Sequence, residues 1–355
     1  MPGDTSTHPS TTPRTPEDRR RRRRRAGIIV GVALVGVAAL GVGGIVAAAP
    51  LLRTYGIYVA PPSPQQYAEY ALDDMRHGLE ATPSRYDDVR AETLSEVANV
   101  TDYADTYDAL ATAATELGGP HTTFADPVKA AEMFGPSSGS TSANQLPTVS
   151  SADGVTTIRL PTLIGGGTGS DSFGQKYIDT AVSAIGTAAP TTSAWVVDLR
   201  DNYGGNVWPM LAAVAPLLDD GTVETFESVD ASTVISVDGG AVSSGGTQQS
   251  EASAPQPKVD GPVAVVVNGM TGSSAEAVAI AFIGQANVRV FGQPSYGFST
   301  ANQPFRLYDG AVVNLTVAVD ADRTGKRYGV PIEPDETVDD DQLDAAIGAW
   351  LATRG

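Results

Sequence analysis

Two glycine-containing stretches and one histidine carry most of the chemistry this chain could perform. The first stretch is Asp198-Leu199-Arg200-Asp201-Asn202-Tyr203-Gly204-Gly205-Asn206, which closes the apolar run Trp195–Leu199. A glycine pair after a strand lets backbone N–H groups face outward, where they can hold an anion. The second is Asn268-Gly269-Met270-Thr271-Gly272-Ser273-Ser274-Ala275-Glu276, which follows the apolar run Val263–Asn268. It sets a hydroxyl at the opening of a helix, where amides and the helix dipole favour the negative charge of an oxyanion. Each stretch also has a plainer meaning, because a glycine pair is usually a tight turn and a serine before a helix is usually its N-cap. Glu276 sits where an acid caps the first helical turn. Neither G-x-G-x-x-G nor the phosphate-loop pattern occurs, so nucleotide binding is not indicated.

A serine nucleophile needs a base. Of the three histidines, His8 lies in the N-terminal tail and His77 on the polar side of the first expected helix. His121 follows Gly118-Gly119-Pro120, where a helical region gives way to strands and glycines. That position suits a catalytic base and equally a packing histidine between two regions. Cysteine is absent, which removes a thiolate nucleophile, a disulfide and a thiolate metal site. No metal or other cofactor is expected.

The elements that must position these groups are legible in outline. Ser63-Pro64-Gln65-Gln66 reads as an N-cap, a proline at the first helical position and a capping-box glutamine. Ala68, Ala71, Leu72, Met75 and Leu79 continue at helical spacing. Further helices are predicted over Tyr86–Val97 and from about Thr101 to Leu117. After Pro120, strands are predicted at Val155–Leu160, Trp195–Leu199, Val263–Asn268 and Val288–Phe291, with Val312–Val319 completing the sheet. Helices near Tyr177–Ala189, Val207–Leu218 and Ala275–Gln285 alternate with them, which predicts an α/β domain with parallel pairing. Gly135–Gly154 and Val229–Gly261, rich in Ser, Gly, Thr and Pro, are expected to be long surface loops.

The N-terminus obeys different physics. Residues 1–18 are rich in Pro, Thr and Ser and are expected to be disordered, and Arg19–Arg25 is an unbroken arginine run. Ala26–Leu52 carries no charge and exceeds the about 20 apolar residues that a membrane-crossing helix needs. Arginines on its N-terminal side predict a cytoplasmic N-terminus and an exported remainder. A cleaved signal peptide is the alternative, with small residues at Ala47–Ala49, and it exports the same remainder. From Arg53 onward there are 15 basic and 38 acidic residues, a net charge of −23 against −18 for the whole chain. Such an acidic surface disfavours nucleic acid as a partner.

Five ordered motifs carry a family resemblance. They are Gly119-Pro120-His121-Thr122-Thr123-Phe124, the two glycine-containing stretches, Phe291-Gly292-Gln293-Pro294-Ser295-Tyr296-Gly297, and Gly329-Val330-Pro331-Ile332-Glu333-Pro334-Asp335. Together they resemble the tail-specific (C-terminal processing) serine peptidase family, which includes the tricorn-core and nisin-resistance branches. The resemblance spans about Pro120 to Val338. It implies peptide-bond hydrolysis on an α/β, ClpP/crotonase-like core. Ser273 matches the family's nucleophile, and the Ser274 amide with one glycine of Gly204-Gly205 matches its oxyanion hole.

The tail-specific branch uses a lysine base after the Pro-aromatic-Gly turn, but Phe298 stands there and the four lysines (Lys129, Lys176, Lys258, Lys326) lie elsewhere. A Ser–Lys dyad is therefore excluded. His121 matches the base of the tricorn and nisin-resistance branches, and the segment between His121 and Trp195 is too short for the tail-specific branch's PDZ domain. Glu333 is the candidate carboxylate to orient His121, its alternative being a solvated loop acid.

The expected organisation is a disordered basic cytoplasmic tail at 1–25 and a transmembrane helix at 26–52. A stalk with a helical unit comes next at 53–118, then an α/β peptidase core at 119–355. The expected activity is that of a membrane-anchored, extracytoplasmic serine peptidase acting on a peptide or protein substrate. A non-catalytic peptide-binding protein on the same fold is the alternative.

Overall fold

The structure, a computed structural model, describes residues 58, 60–134, 144–167, 169, 172–255 and 257–354. The tail expected at 1–25 and the span expected at 26–52 lie outside the described residues. Among the described residues no helix is long and apolar enough to cross a membrane. Residues Ser63–Gly355 form one compact unit.

In chain order, the unit begins with helices α1 (Pro64–Met75), α2 (Pro83–Glu96) and α3 (Tyr107–Gly118). Strand β1 (Thr123–Ala125), helix α4 (Pro127–Phe134) and strands β2 (Thr148–Ala152) and β3 (Val155–Arg159) come after them. Next come α5 (Phe173–Ala188), β4 (Ala194–Asp198) and α6 (Val207–Val214), then strands β5 (Gly221–Glu227), β6 (Ser232–Asp238), β7 (Ala241–Ser244) and β8 (Thr247–Ser250). The chain continues through β9 (Val263–Val267), α7 (Ser274–Phe282) and β10 (Val288–Gly292). It finishes with β11 (Thr300–Arg306), β12 (Val312–Asp322), β13 (Glu336–Thr337) and α8 (Leu343–Ala352).

The capping residues at α1 behave as their types dictate. Gln66 N–H donates to Ser63 Oγ at 3.2 Å, and Ser63 N–H donates to Gln66 Oε1 at 3.1 Å. The apolar stripe of α1 then buries Tyr67, Leu72 and Met75, which share a cluster with Leu110 and Leu117 of α3 and with Val313 and Leu315 of β12. Full burial of a leucine such as Leu72 contributes about 1.5–3 kcal/mol. The helices are thus joined through their core to a strand of the main fold.

Strands β13-β10-β9-β4-β3-β2 form one sheet in that order, parallel except for the β2–β3 pair. Every residue of β4 and β9 is buried because both faces are covered. Trp195, Val197, Val263, Val265 and Val267 pack under α5, α6 and α7, while Val196, Ala264 and Val266 alternate onto Leu343, Ile347 and Trp350 of α8.

Three expectations are corrected here. Val312–Val319 does not complete that sheet: β12 lies in a second sheet of order β1-β12-β5-β6-β7-β8, with β11 also on β12 and every pairing antiparallel. Its near-continuous burial, which reads like a parallel strand, comes from being covered by helices at one end and by α7 at the other. The loop expected at Val229–Gly261 folds into β6, β7 and β8, which bury only Ile235, Val237 and Val242 beneath Ser- and Gly-rich backbone. Within Gly135–Gly154, residues 135–143 lie outside the described residues, and 148–152 form the edge strand β2. Its largely exposed side chains leave backbone pairing with β3 as its support, so no apolar pattern marks it.

Candidate active site

Strands β4 and β9 are neighbours in the parallel sheet, so the turns after them lie side by side at its C-terminal edge. Open α/β sheets place their sites at that edge. Asn268 joins the turns: its Nδ2 donates to Asp201 Oδ1 at 3.0 Å, and its Oδ1 accepts from Asp201 N–H at 3.1 Å. The buried Thr271 hydroxyl donates to Leu199 O at 2.9 Å, and Gly272 N–H donates to Asn202 O at 3.0 Å.

Gly204 explains why this turn needs glycine. Its φ is +99°, and a Cβ there would stand 2.8 Å from both Gly272 O and Ser273 Cβ and 2.9 Å from Ser274 N. Backbone atoms cannot swing aside, so any side chain would displace the Ser273 turn. The Gly204 N–H is committed to Asn202 Oδ1 at 2.9 Å. Within the glycine pair, that leaves Gly205 rather than Gly204 as the amide available to an oxyanion. Gly205 is clamped as well, because Ser274 Oγ donates to its carbonyl at 2.7 Å.

Ser273 adopts φ 55° and ψ −124°, a conformation that a residue with a side chain rarely holds. Such strain costs on the order of 1–3 kcal/mol and persists only where surroundings enforce it. Glu276 supplies part of that enforcement. Its Oε2 accepts from Ser273 N–H at 2.9 Å, and its Oε1 accepts from Gly297 N–H at 2.9 Å and from the Ser295 hydroxyl. Burial raises the Glu276 carboxyl above its ordinary range, although these hydrogen bonds pull the other way. The capping role expected for Glu276 is what the geometry shows.

His121 arrives from the segment after α3. Asn302 Nδ2 donates to its carbonyl at 3.0 Å, and its ring stacks on Phe298 with centroids 4.6 Å apart and planes at 23°. Nδ1 lies 2.7 Å from Thr300 Oγ1. If Nδ1 carries the proton and donates to that hydroxyl, the lone pair sits on Nε2, the arrangement a base requires. Burial lowers the ring from its ordinary value to about 4, so it is neutral at pH 7.

His121, Ser273, Ser274, Gly205 and Thr300 line one cavity of 450 Å³. The ring and the Ser273 hydroxyl are not hydrogen-bonded to each other, and such pairs often tighten only around substrate. Glu333 is not brought to the ring: it is exposed on the loop after Ile332, and Thr300 occupies the position at Nδ1. The expected carboxylate is replaced by a hydroxyl because β11 starts beside His121 and carries Thr300 inward. Among the described residues, no cluster of three or more His, Asp or Glu could hold a metal ion.

Sequence reasoning missed Thr300 and gave Asn202 and Ser295 no role. Asn202 is fully buried, and its side chain donates to Leu160 O at 2.8 Å while accepting from Gly204. The sole sequence signal was its place inside the glycine motif.

Comparisons with known proteins place the chain in a family. Residues 154–338 match the profile described as Peptidase family S41. The chain is 32% identical over 285 residues to the nisin-resistance protein of Lactococcus lactis subsp. lactis, covering 79% of this chain and 85% of that protein. Among solved structures, a lipoprotein from Streptococcus agalactiae superposes with TM-score 0.71 at 23% identity, covering 84% of this chain and 99% of the other. The photosystem II D1 C-terminal processing protease superposes with TM-score 0.53 at 16% identity, covering 79% and 94%. These two likenesses show a shared mixed α/β fold. On the profile match and the curated relative together, the chain belongs to peptidase family S41 and is a serine-type peptidase.

Proposed function

We propose that Ser273 is the nucleophile and His121 the general base of a peptidase anchored in the membrane through residues 26–52, with its catalytic unit outside the cytoplasm. The observation that carries the catalytic part is the His121 ring, held by Phe298 and Thr300 and lining the same cavity as Ser273. His121 takes the hydroxyl proton as Ser273 Oγ attacks the peptide carbonyl, then returns it to the leaving amine. The Ser274 and Gly205 amides receive the oxyanion, each donor being worth about 3 kcal/mol in such sites. Water then attacks the acyl-enzyme through the same base. Exposed Tyr203, Met270 and Tyr296, on the segments around Ser273, offer apolar area to a peptide.

The support for the anchor is the uncharged run Ala26–Leu52 behind seven consecutive arginines, and the net charge of −23 from Arg53 onward disfavours nucleic acid. Likeness to a nisin-resistance protein makes a cationic antimicrobial peptide such as nisin the first substrate to try. A fluorophosphonate probe should label the full chain and fail on Ser273→Ala and His121→Ala. Full labelling of the Ser273→Ala protein would overturn the assignment. Protease treatment of intact cells should remove the catalytic unit while sparing the N-terminal tail, and a protected catalytic unit would refute the topology.

A further inference from the structure

Behind the reactive serine lies a pair of acids that catalysis does not use. Asp320 on β12 is 1% exposed, lines the cavity with Ser273 and His121, and its Oδ1 has no hydrogen-bond partner. Glu224 on β5 is fully buried, and neither of its carboxyl oxygens has a partner. In the β5–β12 register Glu224 sits opposite Asp322 and Asp320 opposite Phe226, which makes the two acids diagonal neighbours. The nearby arginines are engaged elsewhere, Arg323 with Asp219 and Arg327 with Glu227. Among the described residues, neither acid has a salt bridge.

Folded proteins rarely leave desolvated carboxyls unpaired, and each such group calls for a functional explanation, a bound cation among them. The cavity supplies a route for one. Val207, Trp208, Phe226 and Ala277 line it and give an apolar sleeve, while Asp320 is its buried acid. Its 450 Å³ falls within the roughly 300–1,000 Å³ of ordinary ligand pockets.

We infer that this cavity is a specificity pocket for a basic side chain of the substrate peptide, lysine or arginine, whose aliphatic stem packs on Trp208 and Phe226 and whose cationic tip binds Asp320. Glu224, buried behind Asp320 and held towards its neutral form, adds a second acid next to that end. This deepens the peptidase reading by naming the substrate class that its own cavity selects. Burial and then the neighbouring Glu276 hold Asp320 above the ordinary carboxylate range, and burial with Asp320 does the same to Glu224, so an incoming cation displaces a proton at Asp320.

The test separates recognition from cleavage. Matched fluorescent peptides that differ only at the scanned position (lysine, arginine, norleucine or glutamine) are bound to the full-length Ser273→Ala protein and followed by anisotropy. At one position, lysine and arginine should bind about 10- to 100-fold tighter than norleucine, the range expected of one charge-assisted contact. Adding Asp320→Asn should bring that ratio close to one, while Glu224→Gln lowers it less. Equal binding of all four peptides at every position, or a ratio that survives Asp320→Asn, overturns the inference. Tighter binding of glutamine than lysine would overturn it too, showing instead a protonated, hydrogen-bonding floor. Because Ser273→Ala is used throughout, these outcomes do not depend on the catalytic assignment, which fluorophosphonate labelling tests by itself.

Discussion

Replacing Thr300 by valine isolates the contact on which the base depends. Valine keeps the β-branched shape and the β11 strand, and it leaves Phe298 stacked on the ring, but it removes the Oγ1 that lies 2.7 Å from His121 Nδ1. In the ground state the loss is one neutral hydrogen bond, about 0.5–1.5 kcal/mol. In the transition state the ring becomes imidazolium inside a half-buried site. The missing acceptor is then a charge-assisted one, worth about 1.5–3 kcal/mol. The difference of about 1–1.5 kcal/mol acts on the barrier, so kcat/KM should fall by about 5- to 13-fold. Thr300→Ser, which restores the oxygen, should recover most of it. Peptide cleavage is followed by mass spectrometry, with fluorophosphonate labelling rate as a second readout and KM reported separately. Thr300 is a positioning residue, so the loss should sit in kcat rather than KM. Wild-type rates in Thr300→Val, or no recovery in Thr300→Ser, would refute the orientation mechanism.

Three further outcomes rest on the same contacts. Because burial lowers His121 to about 4, kcat/KM should stay level from neutral pH down to about pH 5 and fall as the ring protonates near pH 4. A limb near the ordinary histidine value of about 6.5 would show that the ring is solvated in solution. Gly204→Ala should abolish labelling and lower stability by about 1–3 kcal/mol, since its Cβ meets Ser273 and Ser274 below 3 Å with no mobile atom to yield. Normal labelling of the alanine protein would mean that the two turns are not in contact. Asp320→Asn and Glu224→Gln should raise Tm at pH 8, because each removes a costly unpaired acid. Burial and the neighbouring carboxyls raise these acids above their unfolded values, so their stabilisation is present at low pH and lost as pH rises through the raised values. The gain in Tm from either variant should therefore shrink on acidification, and a gain that grows in acid would reverse the sign and sink the account.

Much of this protein was written locally. The capping box at Ser63, the glycine turns at Gly204-Gly205 and Gly272, and the uninterrupted Val263–Val267 run each arise from side-chain shape and chain entropy within a few residues. Such signals survive without knowledge of the rest of the chain, and they are why Ser273 and the glycine pair could be named with their neighbours. The position of His121 between two regions left it open as base or packing residue, and only the family resemblance named it as the base, while its partner was not legible.

Tertiary structure decided what depends on distant chain segments meeting. Thr300 reaches His121 across 179 positions of sequence. Glu333, part of the same ordered motifs, stays exposed, and Thr300 rather than Glu333 meets Nδ1. Asp320 and Glu224 are ordinary as isolated acids and become buried carboxyls with unpartnered oxygens only when β12 pairs with β5 beneath α7. The assignment of Val312–Val319 to a second sheet has the same origin. Apolar residues state that a segment is to be buried, whereas the partner that buries it is chosen by the collective packing of the whole unit.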